Sequence, residues 1–177
     1  MTDELRFADC PTTEAMIDIA APADTVWALV SDIELPARFS GEFLGAEWLA
    51  EAKGPQVGAQ FVGRNHHPAA GTWETTSTVT ACDRPRTFEW TVGELAEPAA
   101  TWRFTLEPSG SGTRLTQWMQ MGPGRSGINA AIDAMPDKES RILQRRLAEL
   151  QANMQATLEG VKQLAETGGS ATSATPG

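Results

Sequence analysis

Residues 137–166 read DKESRILQRRLAELQANMQATLEGVKQLAE. Within that stretch Leu143, Leu147, Leu150, Met154, Leu158, Val161 and Leu164 recur at steps of three and four. Residues so spaced are neighbours on a helix surface, so the spacing predicts one amphipathic α-helix. Pro136 suits its start, and Asp137 and Glu139 put negative charge in the first turn, where the helix dipole favours it. At 1.5 Å per residue the helix is about 45 Å long. Gly160 weakens its interior slightly, and Gly168 and Gly169 are expected to stop it. An apolar stripe of this length needs a large apolar partner.

The partner lies upstream, between Phe43 and Met121, where the apolar period shortens to two. Six strand-like runs are expected at Phe43–Ala50, Ala59–His66, Thr72–Ala81, Thr87–Gly93, Ala100–Glu107 and Thr113–Met121. Turn signals separate them, among them Lys53-Gly54-Pro55, Asp83-Arg84-Pro85 and Pro108 to Gly112. Connections this short allow only hairpins, so the sheet is an antiparallel meander. Alternation gives it one apolar face. Phe88, Trp90 and Val92 share a side, as do Trp102, Phe104 and Leu106, and Leu115, Gln117, Met119 and Met121. On the earlier strands that side carries Phe61, Gly63 and Asn65, then Trp73, Thr75, Ser77 and Val79. The other side collects Arg64, Glu74, Glu89, Arg103 and Arg114, mixed charges that suit a solvated face. A slip of one residue would exchange the two faces.

Before the meander comes a strand at Ala15–Ala20, with Met16, Ile17 and Ile19 as its buried prospects. Pro22 then opens a short helix whose Val26, Trp27 and Val30 share a face, and a second helical turn falls at Glu34–Arg38. The predicted fold class is therefore α+β. A curved antiparallel sheet of about seven strands wraps a long C-terminal helix, with two short helices after strand 1. The 177 residues fit one domain, expected at 13–166, preceded by a loosely ordered segment 1–12. The end, residues 167–177, reads TGGSATSATPG and is expected to be a disordered tail.

Fourteen basic and 23 acidic residues give a net charge of −9. That charge repels phosphate backbones and argues against nucleic acid and anionic membrane surfaces. No apolar run approaches the ~20 residues that span a bilayer, so no integral membrane association is expected. Cys10 and Cys82 sit in no disulfide, metal or redox spacing. The opening MTDELRFADC lacks the apolar core of a secretory signal, so a cytoplasmic location is expected. The oligomeric state is left open.

Several phrases resemble the START-like, or SRPBCC, helix-grip superfamily of polyketide cyclases, lipid-transfer domains and birch-pollen-allergen relatives. Ile17–Ile33, IDIAAPADTVWALVSDI, is similar to its opening strand and helix. Val57–Arg64, VGAQFVGR, is similar to its glycine-containing strand, and Trp73–Val79 with Pro85–Trp90, WETTSTV and PRTFEW, to its central hairpin. The likeness spans about residues 13–166. It implies a cavity between sheet and C-terminal helix, with the segment from Arg38 to Gly45 at its mouth. Related cyclases and dehydratases commonly place Asp, His, Tyr or Arg in the cavity. This chain has no Tyr, and no Asp lies inside its six strand runs.

Chemical motifs are sparse. Gly122-Pro-Gly124-Arg-Ser-Gly127 spells G-x-G-x-x-G, but no strand follows the helix, so the βαβ context of dinucleotide binding is missing. It reads instead as a flexible connection, or as a gate in which Arg125 meets an anionic group. His66 and His67 are adjacent on a strand and point to opposite faces, which does not suit one metal ion. No metal site and no cofactor is expected. Glu74 and Glu89 fall on the charged face, where ion pairing outweighs acid–base work.

The expected partner is therefore a small hydrophobic molecule, lipid-like or aromatic. Trp73, Trp90, Trp102, Phe104, Leu115 and Met119 would bury it, with Met154 from the helix. Asn65, Thr75, Ser77 and Gln117 would orient it, since ligand pockets are apolar with a few placed polar groups. The rival class is a cyclase- or dehydratase-like enzyme, for which His67, Asn65 and Gln117 are the only catalytic set available. A third class is a ligand-free regulatory or interaction module, its cavity filled by its own side chains.

Overall fold

A computed structural model, which describes residues 4–170, pairs all the predicted strands into one seven-stranded antiparallel sheet. The strands are β1 (Thr12–Ile19), β2 (Phe43–Trp48), β3 (Gln60–His67), β4 (Gly71–Asp83), β5 (Thr87–Val92), β6 (Ala100–Ser109) and β7 (Gly112–Met121). Their order across the sheet is β1-β7-β6-β5-β4-β3-β2. Strands β2 to β7 form the meander, and β1 closes its far side on β7. The register slips between Phe43 and Gly45 and between Val79 and Ala81. Such irregularities add twist and help a sheet to curve.

Two short helices follow β1, as expected: α1 (Ala23–Val30) and a 3-10 turn at Leu35–Arg38. Val26, Trp27 and Val30 of α1 are buried. After β7 comes α2 (Gly127–Ala134), a 3-10 turn at Pro136–Lys138, and the long α3 (Glu139–Ser170). On α3 Leu143, Leu150, Met154, Leu158 and Val161 are buried, and Leu147 and Leu164 half-buried. The helix lies closest to β1 and α1, and departs from the middle strands of the curved sheet.

Four local readings differ from the structure. Met16 is 51% exposed, while Ala15 and Ile19 are buried. Strand periodicity explains it: Ala15, Ile17 and Ile19 pair with Gln117, Leu115 and Thr113 on β7 and share their face, and Met16 faces away. Helix α2 was not expected. Ser126 and Asn129 exchange hydrogen bonds at its start, a reciprocal cap, and Ile128 and Ile132 sit four apart. Residues 4–11 are anchored, because Leu5 N–H donates to Ser140 Oγ and Phe7 N–H to Glu139 Oε1. Finally, α3 continues through Ser170, and the rest of the expected tail, 171–177, lies outside the described residues.

The glycine-rich connection is tied down. Gly122 N–H donates to the Ala99 carbonyl and Gly124 N–H to that of Pro98. A Cβ at Gly124 would overlap the Glu97 carbonyl oxygen, so glycine serves close packing there. Arg125 pairs with Asp133 of α2.

Gly160 has a similar role on α3. A Cβ there would overlap the ring of Phe39, the residue that follows the 3-10 turn. Helix propensity alone makes Gly160→Ala stabilising by about 1 kcal/mol. The close contact reverses the sign. An overpacking cost of about 1–3 kcal/mol, less that gain, leaves a net loss of up to about 2 kcal/mol and lowers Tm by up to about 8 °C in a chain of this size. A thermal melt should show that loss, with partial recovery when Phe39→Leu is added; a rise in Tm would show that the ring yields freely.

Candidate functional site

Where α3 departs from the sheet there is a cavity of about 140 Å³, partly open to the surface. This is comparable with the ~150 Å³ apolar cavity known to hold a benzene molecule. Strands β3 to β7 form the floor, α3 the roof, and the chain from Val30 to Phe43 one side. Four aromatic residues on the middle strands meet there. The indoles of Trp90 and Trp102 lie within 9° of parallel, with centroids 6.4 Å apart. Trp90 also packs against Phe88 at 5.3 Å and Phe104 at 5.9 Å. Cross-strand register brings them together, since Trp90 pairs with Trp102 and Phe88 with Phe104.

Uncharged polar groups share this floor. Asn65 projects from β3, Thr75 and Ser77 from β4, and Gln117 from β7. Gly63 leaves room among them: a Cβ there would press on the Phe43 ring at 3.1 Å. Gln117 is only 6% exposed, and its Oε1 has no hydrogen-bond partner among the described residues. A buried acceptor left without a donor is unusual and costly.

The mouth is charged. Glu42 lines the cavity, and Arg146 of α3 grips it with two hydrogen bonds, Nη1 to Oε2 at 2.7 Å and Nη2 to Oε1 at 2.5 Å. Burial works against the Arg146 charge, but the hydrogen bonds and charge of Glu42 outweigh it and hold the guanidinium above its ordinary value. Next along the helix, Glu149 Oε1 accepts from Arg145 Nε at 3.1 Å. His67 Nδ1 accepts from the Ala69 N–H, so the ring proton sits on Nε2 and is donated to Glu149 Oε2 at 3.2 Å. Burial pushes the Glu149 carboxyl up, but its bonds to Arg145 and His67 and the nearby Arg146 charge leave it below its ordinary value.

The structure brings Asn65, Thr75, Ser77, Trp90, Trp102, Phe104, Gln117 and Met154 together on the cavity lining. It places three other expected ligand contacts off the lining. Leu115 and Met119 share the sheet face but are buried in the core, where β7 lies near β1 and α3. Trp73 pairs with Asn65 near the β3–β4 turn and is half-buried at the sheet's rim. His67 is also outside the lining, held by Glu149, so the catalytic set contributes only Asn65 and Gln117 to the cavity. Glu89 pairs with Arg103 at 2.7 Å on the other face, and Glu74 lies opposite Arg64 there.

Sequence reasoning missed Asp32, Glu42, Asn153 and Thr157 on the lining, and Arg146 behind it. One signal was available. Arg146, Asn153 and Gly160 are seven apart, two helical turns each, and so share a stripe beside the apolar seam. Glu42, the Gly41 N–H and the Phe39 ring meet them in turn, so residues 39–42 run antiparallel along α3.

The family described as polyketide cyclase / dehydrase and lipid transport matches residues 11–166. Among solved structures, the polyketide-cyclase-like protein Cgl2372 of Corynebacterium glutamicum is 34% identical, with a TM-score of 0.62 over 93% of this chain and 97% of that one. The di-domain ARO/CYC StfQ of the steffimycin biosynthetic pathway is 14% identical, with a TM-score of 0.70 over 90% of this chain and 52% of that protein. The allergen Ara h 8.0201 has a TM-score of 0.53 at 15% identity, over 85% of this chain and 97% of that one. The latter two likenesses concern the fold alone. No curated protein matches the chain.

The ion pairing at the mouth carries a pH signature. A carboxyl held below its ordinary value in the folded protein stabilises the fold above that ordinary value, and the contribution is lost as pH falls through the lowered one. Glu149→Gln should therefore be less stable than the parent at neutral pH. The difference in urea midpoint should shrink steadily as the solution is acidified. A difference independent of pH would contradict the pairing.

Proposed function

The chain belongs to the polyketide cyclase / dehydrase and lipid transport family, and from that premise we propose that it binds one small hydrophobic molecule, lipid-like or aromatic, between the sheet and α3. The observation that carries this reading is the cavity itself, floored by the parallel indoles of Trp90 and Trp102 and by the uncharged groups of Asn65, Thr75, Ser77 and Gln117. Apolar burial at about 25 cal/mol per Å² supplies the affinity, and the polar groups set the orientation. The net charge of −9 argues against nucleic acid as the partner of such a carrier or sensor.

An enzymatic reading of the cyclase or dehydratase kind rests on Glu42, a carboxylate on the cavity wall. A general base needs a free lone pair within hydrogen-bond reach of the proton it takes. Arg146 takes one lone pair on each Glu42 oxygen, so only the remaining lone pairs, in directions fixed by that grip, are left to accept a proton. The other lining carboxylate, Asp32, accepts the Glu34 N–H through Oδ1. Binding without turnover is the simpler account of this geometry.

Native mass spectrometry of gently purified protein should reveal a discrete additional mass that disappears on denaturation. Ser77→Leu puts a larger side chain on the floor where Ser77 is only 2% exposed. It should lose the additional mass and weaken binding of added ligand at least tenfold, with the circular dichroism of the fold retained. A bare polypeptide mass from the parent protein would end the tight-carrier reading. Turnover of a cyclisable substrate that is abolished by Glu42→Gln would favour the enzyme.

A further inference from the structure

The size of the cavity and the groups that close it bear on the class of its occupant. Resting on the binding reading above, we infer that the occupant is a compact molecule, one aromatic ring with short substituents, and that the indole of Trp102 sets this limit. Drug-sized ligands occupy pockets of about 300–1,000 Å³, whereas a single benzene fits a cavity of ~150 Å³. The cavity here, about 140 Å³, belongs with the second. Its floor does not lengthen toward β1, because Leu115 and Met119 of β7 are fully packed there. The open side offers no dry extension either. There the lining carries Asp32, which is exposed, Glu42, which is paired with Arg146, and Asn153, whose Oδ1 accepts the Gly41 N–H. A long acyl chain or a fused multi-ring body would leave its extra length among charged groups and water, where it gains no apolar burial.

One ring of the aromatic floor stands where it can bound the ligand. Trp90 is wedged among Phe61, Phe88, Phe104 and Trp102, with centroids 6.1, 5.3, 5.9 and 6.4 Å away. Phe88 and Phe104 are themselves fully buried, so this part of the floor is fixed by the core. Trp102 stands at the end of the cluster, with Trp90 as its one ring partner among the described residues. It lines the cavity and is half-buried, while Met119, its neighbour in register on β7, is packed in the core. The indole therefore occupies space between the packed β7 side and the open floor. Alanine at that position would vacate the volume of the indole and leave it to a ligand.

A series of phenols measures the limit in titrations of the ligand-free full chain, followed by calorimetry or by NMR shifts. Its members are phenol, para-cresol, para-ethylphenol, para-butylphenol, para-hexylphenol and the fused-ring 2-phenanthrol. In the parent, affinity should rise about fourfold for each CH₂ added up to para-ethylphenol, the worth of one buried CH₂. It should then level off through the butyl and hexyl members, and 2-phenanthrol should bind no more tightly than para-ethylphenol. In Trp102→Ala the rise should continue to the hexyl member. The same variant should bind 2-phenanthrol about tenfold or more tighter than the parent does, the scale of two further buried CH₂ groups. Trp102→Val serves if the first variant does not fold. A rise that continues through the hexyl member in the parent, tightest parent binding of 2-phenanthrol, or the same limit in the variants overturns the inference but leaves the binding reading standing. If no member binds the parent, the binding reading fails and the inference falls with it.

Discussion

A 32-residue helix with one apolar stripe must lie against a surface wide enough to cover that stripe, and the only such surface among the described residues is curved. A straight rod cannot follow a twisted sheet along its whole width. Close contact along β1 is therefore bought with separation from the middle strands, and the separation is the cavity. Buried Leu143, Leu158 and Val161 belong to the packed part of the stripe, whereas Leu150, Met154 and Thr157 reach the cavity from above. One helix thus provides both core and roof. Its amphipathic face and the site cannot be altered independently.

The open side is held by a second device of a different kind. Residues 39–42 run antiparallel along α3 and meet it every seventh residue, with a ring over Gly160, an N–H on Asn153 and a carboxylate on Arg146. Glu42 and Arg146 are less exposed than the other ion pairs among the described residues. Such pairs fix geometry more reliably than they add stability, because desolvation cancels much of their attraction. The pairing thus serves chiefly to set where the strap sits, and with it the width of the mouth.

This division also explains what the sequence made legible. A strand's period of two is a local property, so alternation alone was enough to place Asn65, Thr75, Ser77, Trp90, Trp102 and Gln117 on one face, and that face lines the cavity. How far along each strand the cavity extends is not local. Trp73 and Met119 have the same facing, yet one lies at the rim and the other in the core, because the path of α3 over the sheet decides which positions it covers. The mouth was hidden for the same reason. Glu42 and Arg146 are 104 residues apart, and the seven-residue spacing of Arg146, Asn153 and Gly160 marks the helix stripe but not Glu42 as its partner. Met16 shows the limit of composition, since an apolar residue between two buried positions was read as core and faces outward.

A sheet that needed only to be stable would be filled differently. On β7, Leu115 and Met119 pack fully, while Gln117 between them has a buried carbonyl without a partner. Leucine at that position would remove the unsatisfied group and add apolar contact. On the neighbouring floor, Gly63, Thr75 and Ser77 are small where larger side chains would close the space. Each choice sacrifices some stability, and all of them line the one cavity. Local departures from good packing that converge on one place are expected where a site is kept for something outside the chain. An internal role for the cavity, such as easing the curvature of the sheet, would call for small residues but not for a polar amide among them whose buried carbonyl has no partner. Room and an unsatisfied amide thus occur together at Gln117, a combination that packing alone does not require.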